Sequence, residues 1–157
     1  MGDLLADLRA AVAPYPCVRG PNLRDGGAAA VIRVGAAIEV TVELAASGRA
    51  TASAASPDAA PLYVDLELDA LGAVRTRTSD PGFAAALIAT SDARLRRALG
   101  NGGTARLGFG RWTIVRPRAG VALRELAETV ALLADRPAAI GRDWSEAARA
   151  LGATWRG

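Results

Sequence analysis

Histidine, lysine and glutamine are missing from all 157 residues, and cysteine occurs once, at Cys17. Without an imidazole there is no Ser-His-Asp or Cys-His nucleophile, no histidine base and no histidine-ligated metal. Without a side-chain amine there is no Schiff base and no Walker lysine on a phosphate. A lone thiol excludes an intramolecular disulfide, is too few for a structural zinc site and fits a reducing, cytoplasmic compartment. Cys17 follows Pro16 with no base beside it and reads as a small inert residue. These absences exclude most hydrolases, kinases and pyridoxal enzymes, so the expectation is a protein that is not an enzyme and uses neither metal nor cofactor.

Long hydrophobic runs are also missing: the apolar stretches are short and broken by charge, which predicts no membrane span. The first thirteen residues carry Asp3 and Asp7 and no basic leader, so no secretory signal is expected. Aromatics are only 4% of the chain although half of it is apolar, so the core must be built from Leu, Val, Ile and Ala, with Trp112, Trp144 and Trp155 as its few large pieces. Every basic side chain is an arginine, and Arg for Lys beside this much Ala and Gly suggests a GC-rich genome before it suggests arginine chemistry. The net charge of +3 is uneven: −2 over residues 1–79, +5 over 80–118 and zero over 119–157.

What is present is clearest between Leu62 and Phe83. Leu62, Val64, Leu66 and Leu68 alternate with Tyr63, Asp65, Glu67 and Asp69, the period of a strand with one dry and one wet face. After Ala70-Leu71-Gly72 the run Val74 to Thr78 alternates again, and a three-residue loop with Gly72 left-handed joins the two as a hairpin. That register sets Glu67 opposite Arg75 and Asp65 opposite Arg77, and a slip of one residue would set the arginines against leucines. Asp80 then caps a helix and Pro81 fits its first position, with Phe83, Leu87 and Ile88 as the buried stripe.

Elsewhere, Asp3 to Val12 reads as an amphipathic helix ended by Pro14 and Pro16, and residues 15–27, rich in Pro, Gly and Asn, read as loop. Ala28–Val34 and Ile38–Leu44 form a hairpin broken at Gly35-Ala36, the second run with an acidic wet face. Arg49 to Ser56 alternates Ala, Ser and Thr, small side chains that suit an edge strand or else a mobile loop, with the strand favoured. Ser91-Asp92 offers the cap of a second short helix closed by Gly100, followed by a turn at 101–103. That glycine-rich turn follows a helix instead of opening one, so it is no phosphate loop. Thr104–Phe109 and Arg111–Arg116 pair around Gly110, and Leu123, Leu126, Val130 and Leu133 mark a last helix over 121–135, stopped by Arg136-Pro137. Asp143 could cap a final segment. The expected fold is one α+β domain over 1–157, an antiparallel sheet of about five to seven strands with helices on one face, and residues 138–157 a semi-independent C-terminal segment.

At Ser79-Asp80-Pro81-Gly82-Phe83 the chain resembles a group of uncharacterised bacterial domains from GC-rich genomes, in which a strand leads through a Thr-Gly-Asp-Pro-x-Phe-like step into two short helices, a hairpin and a Leu-rich helix. The order from Val74 to Pro137 is similar, and Arg33 to Val42 is similar to their opening hairpin. Ser79 stands where that group has Gly, and Ala84 where an acid is usual. The resemblance implies the fold and no activity.

Three functions fit these residues. The first is an interaction or assembly module that binds another protein, or another copy of itself, through Arg94, Arg97, Arg106, Arg111, Trp144 and Trp155, because Arg and Trp dominate binding hot spots. The second is nucleic-acid binding by the arginines of 94–118, although no recognition helix or stacking platform accompanies them. The third is a divalent ion or small molecule on the carboxylates Asp65, Glu67 and Asp69, against which Arg75 and Arg77 would compete.

Overall fold

The structure, a computed structural model, describes residues 3–35, 37–100, 102–118 and 123–135, apart from the side chain of Asp58. In chain order come helix α1 (Leu4–Val12), strands β1 (Cys17–Arg24), β2 (Gly27–Val34), β3 (Ile38–Ala45), β4 (Ala50–Ala55), β5 (Val64–Leu68) and β6 (Val74–Thr78), helix α2 (Pro81–Leu99), strands β7 (Thr104–Gly108) and β8 (Arg111–Arg116), and helix α3 over 123–135. The strands make one antiparallel sheet of eight, ordered β1-β2-β3-β4-β8-β7-β5-β6.

The α+β class is as the sequence predicts, and the strand count exceeds the expected five to seven. The unforeseen strand is β1, in the stretch read as loop. It is an edge strand exposed at almost every position, so nothing in it requires apolar alternation. Its register against β2 shifts twice, between Cys17 and Arg19 and between Arg19 and Asn22, which lets Gly20 and Pro21 ride outside the regular ladder. A second correction concerns β4, which lies between β3 and β8 in the sheet interior and not at an edge. Its small side chains reflect crowding: Ala50, Ala52 and Ala54 are all fully buried. A third is α2, one continuous helix where two short ones were expected. Ser91 does not cap it but lies buried along it, while Asp92 pairs with Arg96 one turn on at 2.8 Å.

The strand registers assemble two buried rows across the sheet. One runs Ala30, Val42, Ala52, Ile114, Ala105, Leu66, and the other Ile32, Val40, Ala54, Trp112, Leu107, Val64. On this side α1 lies against β1, β2 and β3, and α2 against β5, β6 and β8. Helix α3 shares one groove with α1 and another with α2, and Ser56 Oγ at the end of β4 donates to its Ala134 carbonyl at 3.3 Å. The helix starts follow the sequence: Asp3 accepts from Leu5 N at 3.0 Å, and Asp80 from Phe83 N at 3.0 Å with Pro81 in the first position. The hairpin β5–β6 has the expected register, Glu67 against Arg75 and Asp65 against Arg77, with Gly72 at φ +79°. Among the described residues no helix is long and apolar enough to cross a membrane.

Candidate docking surface

The opposite side of the sheet carries no helix among the described residues. The same registers build its rows: Thr41, Ser53, Thr113, Arg106, Asp65, Arg77, and beside them Glu43, Thr51, Val115, Thr104, Glu67, Arg75. This face is small and hydroxylated in its middle, acidic at β3, and crowded with alternating charge at β7, β5 and β6.

Asp65 is the organising group. Its Oδ1 accepts from Arg106 Nε at 3.0 Å and its Oδ2 from the Tyr63 hydroxyl at 3.3 Å. The sequence pointed to Arg77 as the neutralising partner, and the ion pair goes to Arg106 instead. The reason is topological: β7 pairs with β5 across 41 residues of chain, and Arg106 stands directly opposite Asp65 on that side. Arg75 and Arg77 project from the same face, and among the described residues no carboxylate lies within ion-pair distance of either. Asp65, Glu67, Arg75, Thr76, Arg77 and Arg106 together line a cleft of about 250 Å³ at the β6 border. Arg111, further along, donates from Nη2 to Ser53 Oγ at 2.9 Å and to Thr41 Oγ1 at 3.3 Å, lying flat across β4 and β3.

The three carboxylates considered for a cation do not converge. Asp69 sits in the hairpin loop, where Oδ1 accepts from Leu71 N and Ala73 N at 2.9 Å each. Among the described residues no group of three potential metal ligands comes together.

The basic middle third is divided by the sheet. Arg106 and Arg111 lie on the helix-free face. Arg97 lies on the helical side, its Nε 3.2 Å from Glu125 Oε1, tying α2 to α3. Arg94 lines the groove between α2, α3 and the β2–β3 turn. Arg116 packs against Gly100 at the C-terminal end of α2, where a cation meets the negative end of the helix dipole. Of the tryptophans, Trp112 is fully buried in the second core row, and Trp144 and Trp155 lie outside the described residues, as does the segment 138–157.

Two features escaped sequence reasoning. Arg75 and Arg77 were counted as neutralising neighbours and not as binding groups, because the competing cation from β7 was not visible in local spacing. Phe109, read from the sequence as the last residue of the strand Thr104–Phe109, is fully exposed at the tip of the β7–β8 turn with φ +52°. Its place directly before Gly110 in a two-residue turn was the available signal.

Comparison of the chain with protein-family models, with curated proteins and with solved structures found no match.

Proposed function

We propose that the chain is a non-enzymatic interaction module whose helix-free sheet face docks a partner protein, with the arginines at the β6 border meeting acidic side chains. The observation that carries this reading is the charge imbalance at that border: Arg106 and Tyr63 already occupy Asp65, which leaves Arg75 and Arg77 exposed on the same face without a carboxylate at ion-pair distance among the described residues. Arginine is well suited to such a place, since its planar fork meets a carboxylate through two parallel bonds.

The signs of charge on this face favour a protein over a nucleic acid. A phosphate backbone laid across it would meet Arg75, Arg77, Arg106 and Arg111, and also Asp65, Glu67, Glu39 and Glu43. The remaining arginines of 94–118 are on the helical side and out of reach of the same ligand. A partner of mixed but locally acidic surface matches the pattern better than a uniformly negative one.

The test is capture of a partner by the immobilised chain and by two charge-reversed variants. Arg75→Glu with Arg77→Glu should abolish capture of a defined protein, and Arg94→Glu with Arg97→Glu on the helical side should leave it intact. Equal loss in both variants, loss in neither, or salt-sensitive binding to random-sequence DNA in place of a protein refutes the reading.

A further inference from the structure

Among the described residues strand β6 is the last strand of the sheet, and Arg75, Thr76 and Arg77 along it are exposed. The ladder with β5 shows which backbone groups its outer edge offers. Ser79 N donates to Tyr63 O at 3.0 Å and Asp69 N to Ala73 O at 2.9 Å, so both ends of the ladder are hydrogen-bonded pairs. Such pairs alternate with non-hydrogen-bonded ones along an antiparallel ladder. The pairs Asp65/Arg77 and Glu67/Arg75 are therefore hydrogen-bonded, and Val64/Thr78, Leu66/Thr76 and Leu68/Val74 are not. Arg75 and Arg77 turn their N–H and C=O groups toward β5, whereas Val74, Thr76 and Thr78 turn theirs outward.

The two edges of the sheet are treated differently. On β1 the register shifts twice and Pro21 interrupts the donors, which are the means by which natural sheets discourage further pairing. On β6 the register is unbroken over five pairs, with no proline and no bulge.

We propose that the outer edge of β6 accepts an extended acidic segment of a partner protein as an additional antiparallel strand. This rests on the docking reading above and specifies its partner chemistry. A strand bonded to the outward groups of Val74, Thr76 and Thr78 places its other residues opposite Arg75 and Arg77 in non-hydrogen-bonded pairs, where side chains stand closest. Two carboxylates spaced two residues apart would then meet the two guanidiniums, repeating on the outer side what Glu67 and Asp65 present on the inner one. A second copy of the chain does not fit. Antiparallel self-pairing of β6 with the faces aligned sets Arg75 opposite Arg77 of the other copy, or one of the two arginines opposite itself, and like charges directly opposed destabilise a strand pair.

The probe is an acetylated and amidated octapeptide of alternating threonine and glutamate, with a threonine-lysine octapeptide as control, added to the full chain at up to millimolar concentration. Expected are slowed hydrogen exchange at the Val74, Thr76 and Thr78 amides and no effect of the lysine peptide. Thr76→Pro removes an outward donor without removing a bond to β5, and should weaken binding about tenfold. The exchange measurement on the unaltered chain decides the matter even if that variant folds poorly. Binding that Arg75→Glu with Arg77→Glu removes but Thr76→Pro leaves unchanged, without added protection at the three amides, overturns strand addition and leaves face docking standing. No binding of the acidic peptide, or equal binding of the lysine peptide, overturns strand addition outright, and the capture experiment then judges the docking reading by itself.

Discussion

Replacing Phe109 by asparagine is expected to stabilise the fold although it removes an aromatic ring. Phe109 and Gly110 form the two-residue turn between β7 and β8, with φ of +52° and +71°, both in the left-handed region. Such a turn matches the twist of the flanking strands and favours Asn-Gly, because a Cβ in the left-handed region crowds the following carbonyl at a cost of roughly 1–2 kcal/mol. Burial offers no compensation, since the Phe109 side chain is as exposed as in an extended peptide, at 103%. Asparagine tolerates this backbone, so Phe109→Asn should add about 1 kcal/mol and raise the thermal midpoint by about 2–4 °C for a domain of this size. Urea unfolding should show the same gain at an unchanged slope. Gly110→Ala makes the opposite perturbation, adding a Cβ at φ +71° that would stand 3.4 Å from Ala60 Cβ, and should lose about 1–2 kcal/mol. A midpoint that stays still or falls in Phe109→Asn would refute the reasoning, because the ring would then be supplying contacts that its exposure denies.

Other substitutions probe the core. Trp112→Ala should cost about 3–5 kcal/mol in urea unfolding, and Trp112→Phe clearly less, because among the described residues the indole Nε1 has no hydrogen-bond partner to lose. Thr129 is fully buried in α3, and among the described residues its hydroxyl has no partner, so Thr129→Val, nearly isosteric, should raise stability by about 1 kcal/mol; a loss of that size would show that the hydroxyl is satisfied. Burial pushes the Tyr15 phenol above its ordinary value, with Arg124 opposing and Glu128 adding to the push. The folded chain then keeps the proton after the unfolded chain has released it, so this group's contribution to stability is whole below about pH 10 and fades as pH rises beyond it. Tyr15→Phe should flatten that alkaline fall in urea midpoints, and an unchanged fall would exclude Tyr15 as its source.

The hairpin β5–β6 was legible because three independent signals, alternation, turn chemistry and charge register, had one common solution. The cap at Asp80 was legible because capping is local. What was not legible depended on partners far away in sequence. Strand β1 has no dry face, so it carries no pattern until an edge position is known, and β4 looked like an edge because a row of alanines says little about whether its neighbours are water or packed helices. Ser91-Asp92 has cap chemistry, yet a buried stripe continues through Leu95 and Leu99 and holds one helix across it. For the docking face the same rule applies. Arg75 and Arg77 were visible on the correct face, but their surplus of charge became apparent only when β7 delivered Arg106 to Asp65.

The residues that fix the β5–β6 register thus also give the sheet border its charge, and a paired swap can separate the two roles. Glu67 and Arg75 stand opposite each other, and the other neighbour of Glu67 across the ladder is the neutral Thr104. Exchanging them, Glu67→Arg with Arg75→Glu, preserves complementarity within the hairpin and sets no like charge directly opposite on β7. The equivalent exchange of Asp65 and Arg77 would instead put an arginine against Arg106. Since exposed cross-strand pairs contribute only about 0.2–1 kcal/mol, the swapped chain should unfold within about 0.5 kcal/mol of the original. At the border its charge is changed all the same: an incoming strand would meet a carboxylate where it had met the Arg75 guanidinium, so the threonine-glutamate octapeptide should bind several-fold more weakly while the fold is unaltered. Equal affinity for that peptide at unchanged stability would mean that position 75 does not face the incoming chain, and strand addition at this register would be excluded.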